Sequence, residues 1–508
     1  MSLAPRFRTG AALLAALAAP LTLGAQAGRG GPTPVTAFTN VTVLTMDGER
    51  RLSDHTVIVR DGKVAALGPA ASTPVPAGAV RIDGRGKFLM PGLAEMHAHV
   101  PPGNPTREQL EDIMFLYVAN GITTIRGMLG APYQISLKHE LASGAMLGPQ
   151  FFPAAPSLNG NSAPTPEAAV ALVRQAKATG YDLVKIHPGV SRATWDAAVA
   201  EMRAQGLTFG GHIPFDVGIV HAMTTGIATI DHVDGYLEAA VRDSAVYAPG
   251  SQLGDIIDAV DPAKFPMLAR MARERSVWNV PTMYLWENFY NDDTPEELAA
   301  LPEMQYVSQQ QVTAWMNQKR GRALADQNQQ MTPERRARYL ALRRQMLKAL
   351  ADAGAPLLMG TDSPQMFNVP GYALHRELQV ARAAGLTPQQ VLESGTRNVG
   401  RYVRESLKQD GAFGTVAAGQ WADLVLLDAD PTVIYPITKG KPLGRRIRRS
   451  ELDAITGYNT YREPGLPDGP IANPGRESIA AVLDPQPTEA LYFVADGTGG
   501  HVFANTLQ

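Results

Sequence analysis

Two histidines stand one residue apart in EMHAHV (residues 95–100), directly after the apolar run KFLMPGL. On an extended segment side chains alternate faces, so His97 and His99 point the same way and can share one cation. Four more residues of metal-ligand type close other apolar runs: Lys185 in YDLVKIH, His212 in LTFGGHI, His232 in IATIDHV and Asp362 in APLLMGTD. Taken singly, each has an ordinary reading. Lys185 could reach solvent, His212 and His232 could be satisfied core histidines, and Asp362 could cap the next helix. Together they form a donor set of imidazoles, a carboxylate and an amine, and a donor set of that kind suits divalent metal ions, zinc first among them.

The elements that must position these residues follow a regular order. Residues 35–88 carry β-branched runs (TAFTNVTVLTM, TVIVRDGKVAALG, AVRIDGRGKFLM) with Asp-Gly turn signals, which predicts a small all-β unit. From residue 89 the strand-like pieces GITTIRG, PQFFPAA, YDLVKIH, LTFGGHI, IATIDHV, VWNVPTM and APLLMGTD alternate with helix starts at TREQ, TPEA, SRATW and TPQQ. Counting the segment before His97 there are eight strands, the number that closes an α/β (β/α)8 TIM barrel. Strand ends then share one mouth, where the six candidate ligands converge. One gap, of about 75 residues before APLLMGTD, predicts a helical insertion at about 284–354 that begins with the capping box TPEE.

Residues 1–27 read as a signal peptide: Arg6 and Arg8, a short apolar stretch broken by Pro20, and a cleavage site at Ala25–Ala27. The predicted location is periplasmic or secreted, after cleavage near Ala27. Cleavage takes two arginines from the 46 basic residues and none of the 48 acidic ones, leaving a balance of −4. That charge predicts no nucleic-acid partner, and no apolar stretch is long enough for a membrane span. The chain has no cysteine, hence no disulfide and no thiol nucleophile.

The motifs PGLAEMHAHV, DLVKIHPGVS, GGHIPFDV, TIDHVDGY, MGTDSP, LHREL and GTVAAGQWADLVLLDA resemble the amidohydrolase superfamily, in its imidazolonepropionase-like and prolidase-like branch, over residues 35–430. The resemblance implies a β-sandwich at 28–88 completed by about 411–430, around a metal-dependent hydrolase barrel at 89–410. It implies that His97, His99 and Asp362 bind one metal and His212 and His232 a second. Lys185 would be carbamylated by CO2 and bridge the two ions. The implied activity is hydrolysis of an amide or peptide-like C–N bond through a metal-bridging hydroxide, with Asp362 as the proton carrier. An ester, lactone or cyclic amide is the alternative substrate, and a small molecule or short peptide is the expected partner; oligomerisation stays open.

Tyr236, four residues after His232, matches a tyrosine that prolidase-like relatives use on the substrate carbonyl. Arg126, His187 and His375 are further candidates for substrate contact, Arg126 alternatively pairing with a neighbouring acid. Dipeptide-cleaving relatives often carry a histidine after the third strand. Here that loop is SLNGNSAPTP, where Asn159 or Asn161 could serve instead.

The end of the chain has a different origin. DPTVIY, YNTY, GLPDGPIANPG and LYFVADGTGGHVF resemble the C-terminal segment of endolytic murein transglycosylases, without the family's upstream catalytic glutamate. Residues 431–508 therefore read as a transglycosylase-like fragment. An alternative function of another class follows, a peptidoglycan-associated protein acting through this tail.

Overall fold

The computed structural model describes residues 35–101 and 103–428 and the backbone of Tyr492–Val494. The leader read at 1–27 lies outside these residues, as does most of the 431–508 tail. Among the described residues no helix is long and apolar enough to cross a membrane.

The small β-unit is one continuous seven-stranded sheet rather than two separately hydrogen-bonded layers. Thr36–Leu44 pairs antiparallel with Arg51–Arg60, which pairs with Lys63–Pro69 across the Asp61-Gly62 turn. Leu424–Leu427, from beyond the barrel, pairs antiparallel with Phe88–Pro91. Its outer edge takes Tyr492–Val494 as a further antiparallel strand, so three tail residues belong to the sheet. An apolar cluster including Phe38, Val43, Val57, Leu89, Val416, Leu424 and Leu426 holds the unit together.

The barrel strands are Leu93–Ala98, Ile122–Gly127, Gln150–Pro153, Leu183–Ile186, Thr208–Gly211, Thr229–Asp231 and Trp278–Val280. Residues 357–363 supply the eighth. Ladders join the first three strands and the fourth to the seventh. Parallel bridges Ala154–Leu183, Asn279–Leu357 and Ala98–Ser363 close the ring. Helices begin at their sequence signals. Thr106, Thr294 and Thr387 make full capping boxes with Gln109, Glu297 and Gln390, while Thr165 and Ser191 cap through their hydroxyls. Between the seventh and eighth strands the chain is helical, with Met283–Tyr290, Pro295–Ala299, Gln309–Asn328 and Pro333–Ala353.

Candidate metal centre

Strand direction decides the site, because every barrel strand ends at the same mouth. His97 and His99 leave the first strand on one face, and Asp362 stands near the end of the eighth. Asp362 Oδ1 lies 2.5 Å from His99 Nε2 and 3.5 Å from His97 Nε2. One ligand atom from each of these three residues fits within a 4.8 Å cluster. Lys185 enters from the fourth strand with Nζ 3.2 Å from His97 Nε2. The His212 and His232 rings stack at 4.5 Å, and His232 is also 4.5 Å from His97. All six candidate ligands are brought together.

Two of them sit in unusual backbone. His232 and Asp362 adopt φ of 64° and 65°, left-handed values that cost a non-glycine residue about 1–3 kcal/mol. Neighbouring strands hold them there, through His232 N–H to Val280 O and Asp362 N–H to His97 O, both at 2.8 Å. Gly360 leaves no room for a side chain, since a Cβ there would come 2.8 Å from His97 N and 3.0 Å from its Cβ.

Burial, and after it nearby cationic and imidazole groups, holds His97 and His232 well below the usual histidine range. Both rings are therefore neutral and can offer a lone pair. Burial also lowers the Lys185 ammonium, against the opposing pull of Asp231. His97 and Lys185 side chains are fully buried, whereas His99 and His212 keep 15% and 22% exposure. The mouth thus opens on the His99–His212 side.

Three of the four histidine ligands have an oxygen close to Nδ1. Asp231 Oδ2 lies 2.8 Å from His97 Nδ1, Asp234 Oδ2 is 2.6 Å from His212 Nδ1, and Thr282 Oγ1 is 2.8 Å from His232 Nδ1. Such partners set ring orientation and tautomer. Glu95 ties the first strand to the eighth, accepting from His97 N, Thr361 N and Thr361 Oγ1. Burial nevertheless pushes its carboxyl up to about 8. Sequence reasoning passed over all four. Asp231 and Asp234 bracket His232 in IDHVD, a signal that could have exposed them; Glu95 and Thr282 carry none.

Metal fits this arrangement on one observation above the rest. His232 Nε2 is buried and has no hydrogen-bond partner among the described residues, while its Nδ1 is spent on Thr282. A neutral imidazole left in that state wants an acceptor for its lone pair.

Three of the substrate candidates lie elsewhere. The Tyr236 hydroxyl is fully buried and donates to Asn279 Oδ1 at 2.5 Å, an amide itself donating to the Val277 and Pro356 carbonyls. Arg126 crosses the barrel interior, bonding Met96 O, Thr229 Oγ1 and the Tyr402 hydroxyl and pairing with Asp231 at 3.2 Å. With no exposure it is the structural pair, not a substrate contact. His375 rides on Tyr372–Ala383 to the end of Arg107–Ala119, where Nε2 meets the Asn120 carbonyl at 2.9 Å. Helix packing, not the site, places it. His187 does border the site, 4.9 Å from the His212 ring with Nδ1 on Ser157 Oγ, and burial followed by Lys185 pushes it to about 3. Asn159 is consumed by its own loop, its Oδ1 accepting from Asn161 N and Ser162 N.

The structure is thus a closed (β/α)8 barrel that gathers histidines, a lysine and an aspartate at its strand ends, and three of them, His97, His99 and Asp362, could hold a metal ion. The chain belongs to the amidohydrolase family, matched over residues 88–456. Residues 422–508 match the YceG-like family. Among curated relatives, an imidazolonepropionase of Stenotrophomonas maltophilia is 32% identical over 112 residues, 20% of this chain and 28% of the relative. An adenine deaminase of Paracoccus denitrificans is 31% identical over 201 residues, 35% and 32% of the two chains. The tail is 44% identical over 82 residues to an endolytic murein transglycosylase of Bacillus subtilis, 16% of this chain and 22% of that one. The chain therefore spans under a third of each of these relatives. Among solved structures, bottromycin amidohydrolase superposes with TM-score 0.61 at 21% identity, covering 83% of this chain and 88% of the other. A Xaa-Pro dipeptidase superposes with TM-score 0.53 at 17% identity, covering 79% and 96%. These likenesses speak to the fold.

Proposed function

We propose that this chain is an exported binuclear metal hydrolase that cleaves an amide or peptide-like C–N bond. The observation that carries the reading is the meeting of six donors from five strands around a buried imidazole nitrogen without a protein partner. His97, His99 and Asp362 would hold one ion, and His212 and His232 the other. Two divalent cations held there, zinc by donor type, would supply a water acidic enough to ionise near neutral pH and would polarise the scissile carbonyl.

The side chains do the rest. Burial disfavours the Lys185 ammonium; as the free amine its nitrogen would add to CO2, the N–C bond forming and one proton leaving to solvent, which gives an anionic carbamate. Asp362 takes the proton of the attacking water and delivers it to the leaving nitrogen as the C–N bond breaks, so the amine departs neutral. Asp231, Asp234 and Thr282 keep the rings aimed, which is how an outer layer sets affinity.

The test is metal analysis of the full chain with a screen of N-acyl amino acids, Xaa-Pro dipeptides and aryl esters. Two equivalents of metal and C–N cleavage are expected. Fewer than two equivalents would overturn the binuclear reading, and turnover of esters alone would move the assignment to the ester alternative. The YceG-like match favours a separate reading of location, association with peptidoglycan, which co-sedimentation of the full chain with murein checks.

A further inference from the structure

The helical insertion does more than cover the barrel. One of its side chains, Arg343, and Thr282 in the loop that leads into it close on one residue, His232. Arg343, midway along Pro333–Ala353, is 2% exposed and donates through Nη2 to the His232 carbonyl oxygen. Its Nη1 donates to the Tyr339 hydroxyl at 3.1 Å, and its guanidinium lies 4.2 Å over the Trp286 ring. Trp286 sits on Met283–Tyr290, so Arg343 is wedged between two insertion helices. Thr282, the residue before Met283, bonds the His232 ring at Nδ1.

That second helix is itself fixed at both ends. Glu377 accepts from Met283 N and Tyr284 N at its start, and Lys319 donates to Asn288 O and Asn291 O at its finish. Each side chain sits where the helix leaves backbone groups unpaired.

His232 needs such holding. It and Val233 both take left-handed φ, 64° and 56°, conformations that β-branched and bulky residues avoid. A backbone in that state persists only where its surroundings over-determine it. The carbonyl of His232 points away from its own strand's ladder and finds the charged Arg343 donor instead. Charge-assisted bonds of this kind are the strong ones.

We infer that Arg343 is a positioning residue for His232, through which the insertion sets the geometry and affinity of one half of the metal centre. This rests on the binuclear reading for its consequence but not for its contact. Arg343→Met keeps the stem against Trp286 and removes the donors; Arg343→Lys keeps a donor. Arg344→Met, on the same helix and bonded across to Glu287 of Met283–Tyr290 but not to His232, is the control, separating the His232 contact from the packing of the two helices.

Two measurements test it. In the metal-free full chain, hydrogen exchange of residues 230–236 should rise in Arg343→Met, stay at the wild-type level in Arg344→Met, and recover in part in Arg343→Lys. In chelator-buffered zinc titrations, Arg343→Met should weaken one of two equivalents at least about tenfold and leave the other within twofold. Unchanged exchange in Arg343→Met would overturn the contact, and equal weakening of both equivalents would reduce Arg343 to general packing. A wild-type stoichiometry of one would overturn the binuclear reading alone, and the exchange result would still decide the role of Arg343.

Discussion

The apolar cluster of the small sheet is built from Phe38, Val41, Val43, Val57, Leu89, Leu424, Leu426 and their like, whereas the centre of the barrel buries Arg126, Lys185, Asp231 and Glu95 with no exposure. The first interior gains from removing area from water, a non-directional term that tolerates swaps of similar volume. The second gains little from burial itself. Its polar groups stay inside because each has partners: Arg126 has Asp231, and the Glu95 carboxyl has three donors on the eighth strand and its own. Apolar interiors set how stable the chain is; the polar interior sets where six ligand atoms stand.

That contrast can be broken or sharpened by mutation. The largest effect belongs to Lys185→Ala, which should remove one metal equivalent and lower turnover on the order of 10³-fold, the scale of several kcal/mol of lost transition-state stabilisation. Partial rescue by a short carboxylic acid is expected, because a free carboxylate can replace a carbamate. Full metal content in the variant would remove Lys185 from the centre. Asp231→Ala comes next. It strands the buried Arg126 guanidinium and frees the His97 ring, at a cost of about 3–5 kcal/mol for an uncompensated buried charge. Urea unfolding reads the stability, and a loss under about 1 kcal/mol would show the polar interior to be as tolerant as the sheet.

Leu424→Ala tests the other side. A cavity in the sheet should cost about 2–5 kcal/mol while the metal content stays at two equivalents. Loss of metal in that variant would join the two interiors into one functional unit. Ending the chain after residue 428 should leave metal content and turnover unchanged, since every proposed ligand precedes it. It does remove Tyr492–Val494 from the edge of Leu424–Leu427, and an uncovered edge strand invites association. Light scattering should therefore rise, and loss of metal would place part of the centre's support in the tail. The smallest effect is His221→Ala. His221 pairs with Asp196 on the outer surface at 2.5 Å, so stability should move by about 0.5 kcal/mol or less with no change in metal.

Much of this organisation is written locally in the chain. Asp-Gly turns, Thr-x-x-Gln boxes and apolar runs ending in His, Lys or Asp are short-range signals, and the helices do start at Thr106, Thr294 and Thr387. Ligand types are local too, because coordination chemistry is a property of the side chain. Partners are not. Arg126, at the end of the second strand, and His375, after the eighth, each fit a substrate contact or a structural role, because a side chain's role depends on what meets its polar end. Asp231 arrives at Arg126 from 105 residues away and Asn120 at His375 from 255. Tyr236 likewise follows a ligand by four residues, and its hydroxyl is claimed by Asn279 on the next strand. By itself the sequence determined the barrel's alternation, the caps and the six donors. Only the tertiary structure decided which buried imidazole nitrogens were left without a hydrogen bond, His232 Nε2 among them, which charges were neutralised, and that an arginine of the insertion would grip His232, because hydrogen bonds and Coulomb pairs are settled by distances that the folded chain alone sets.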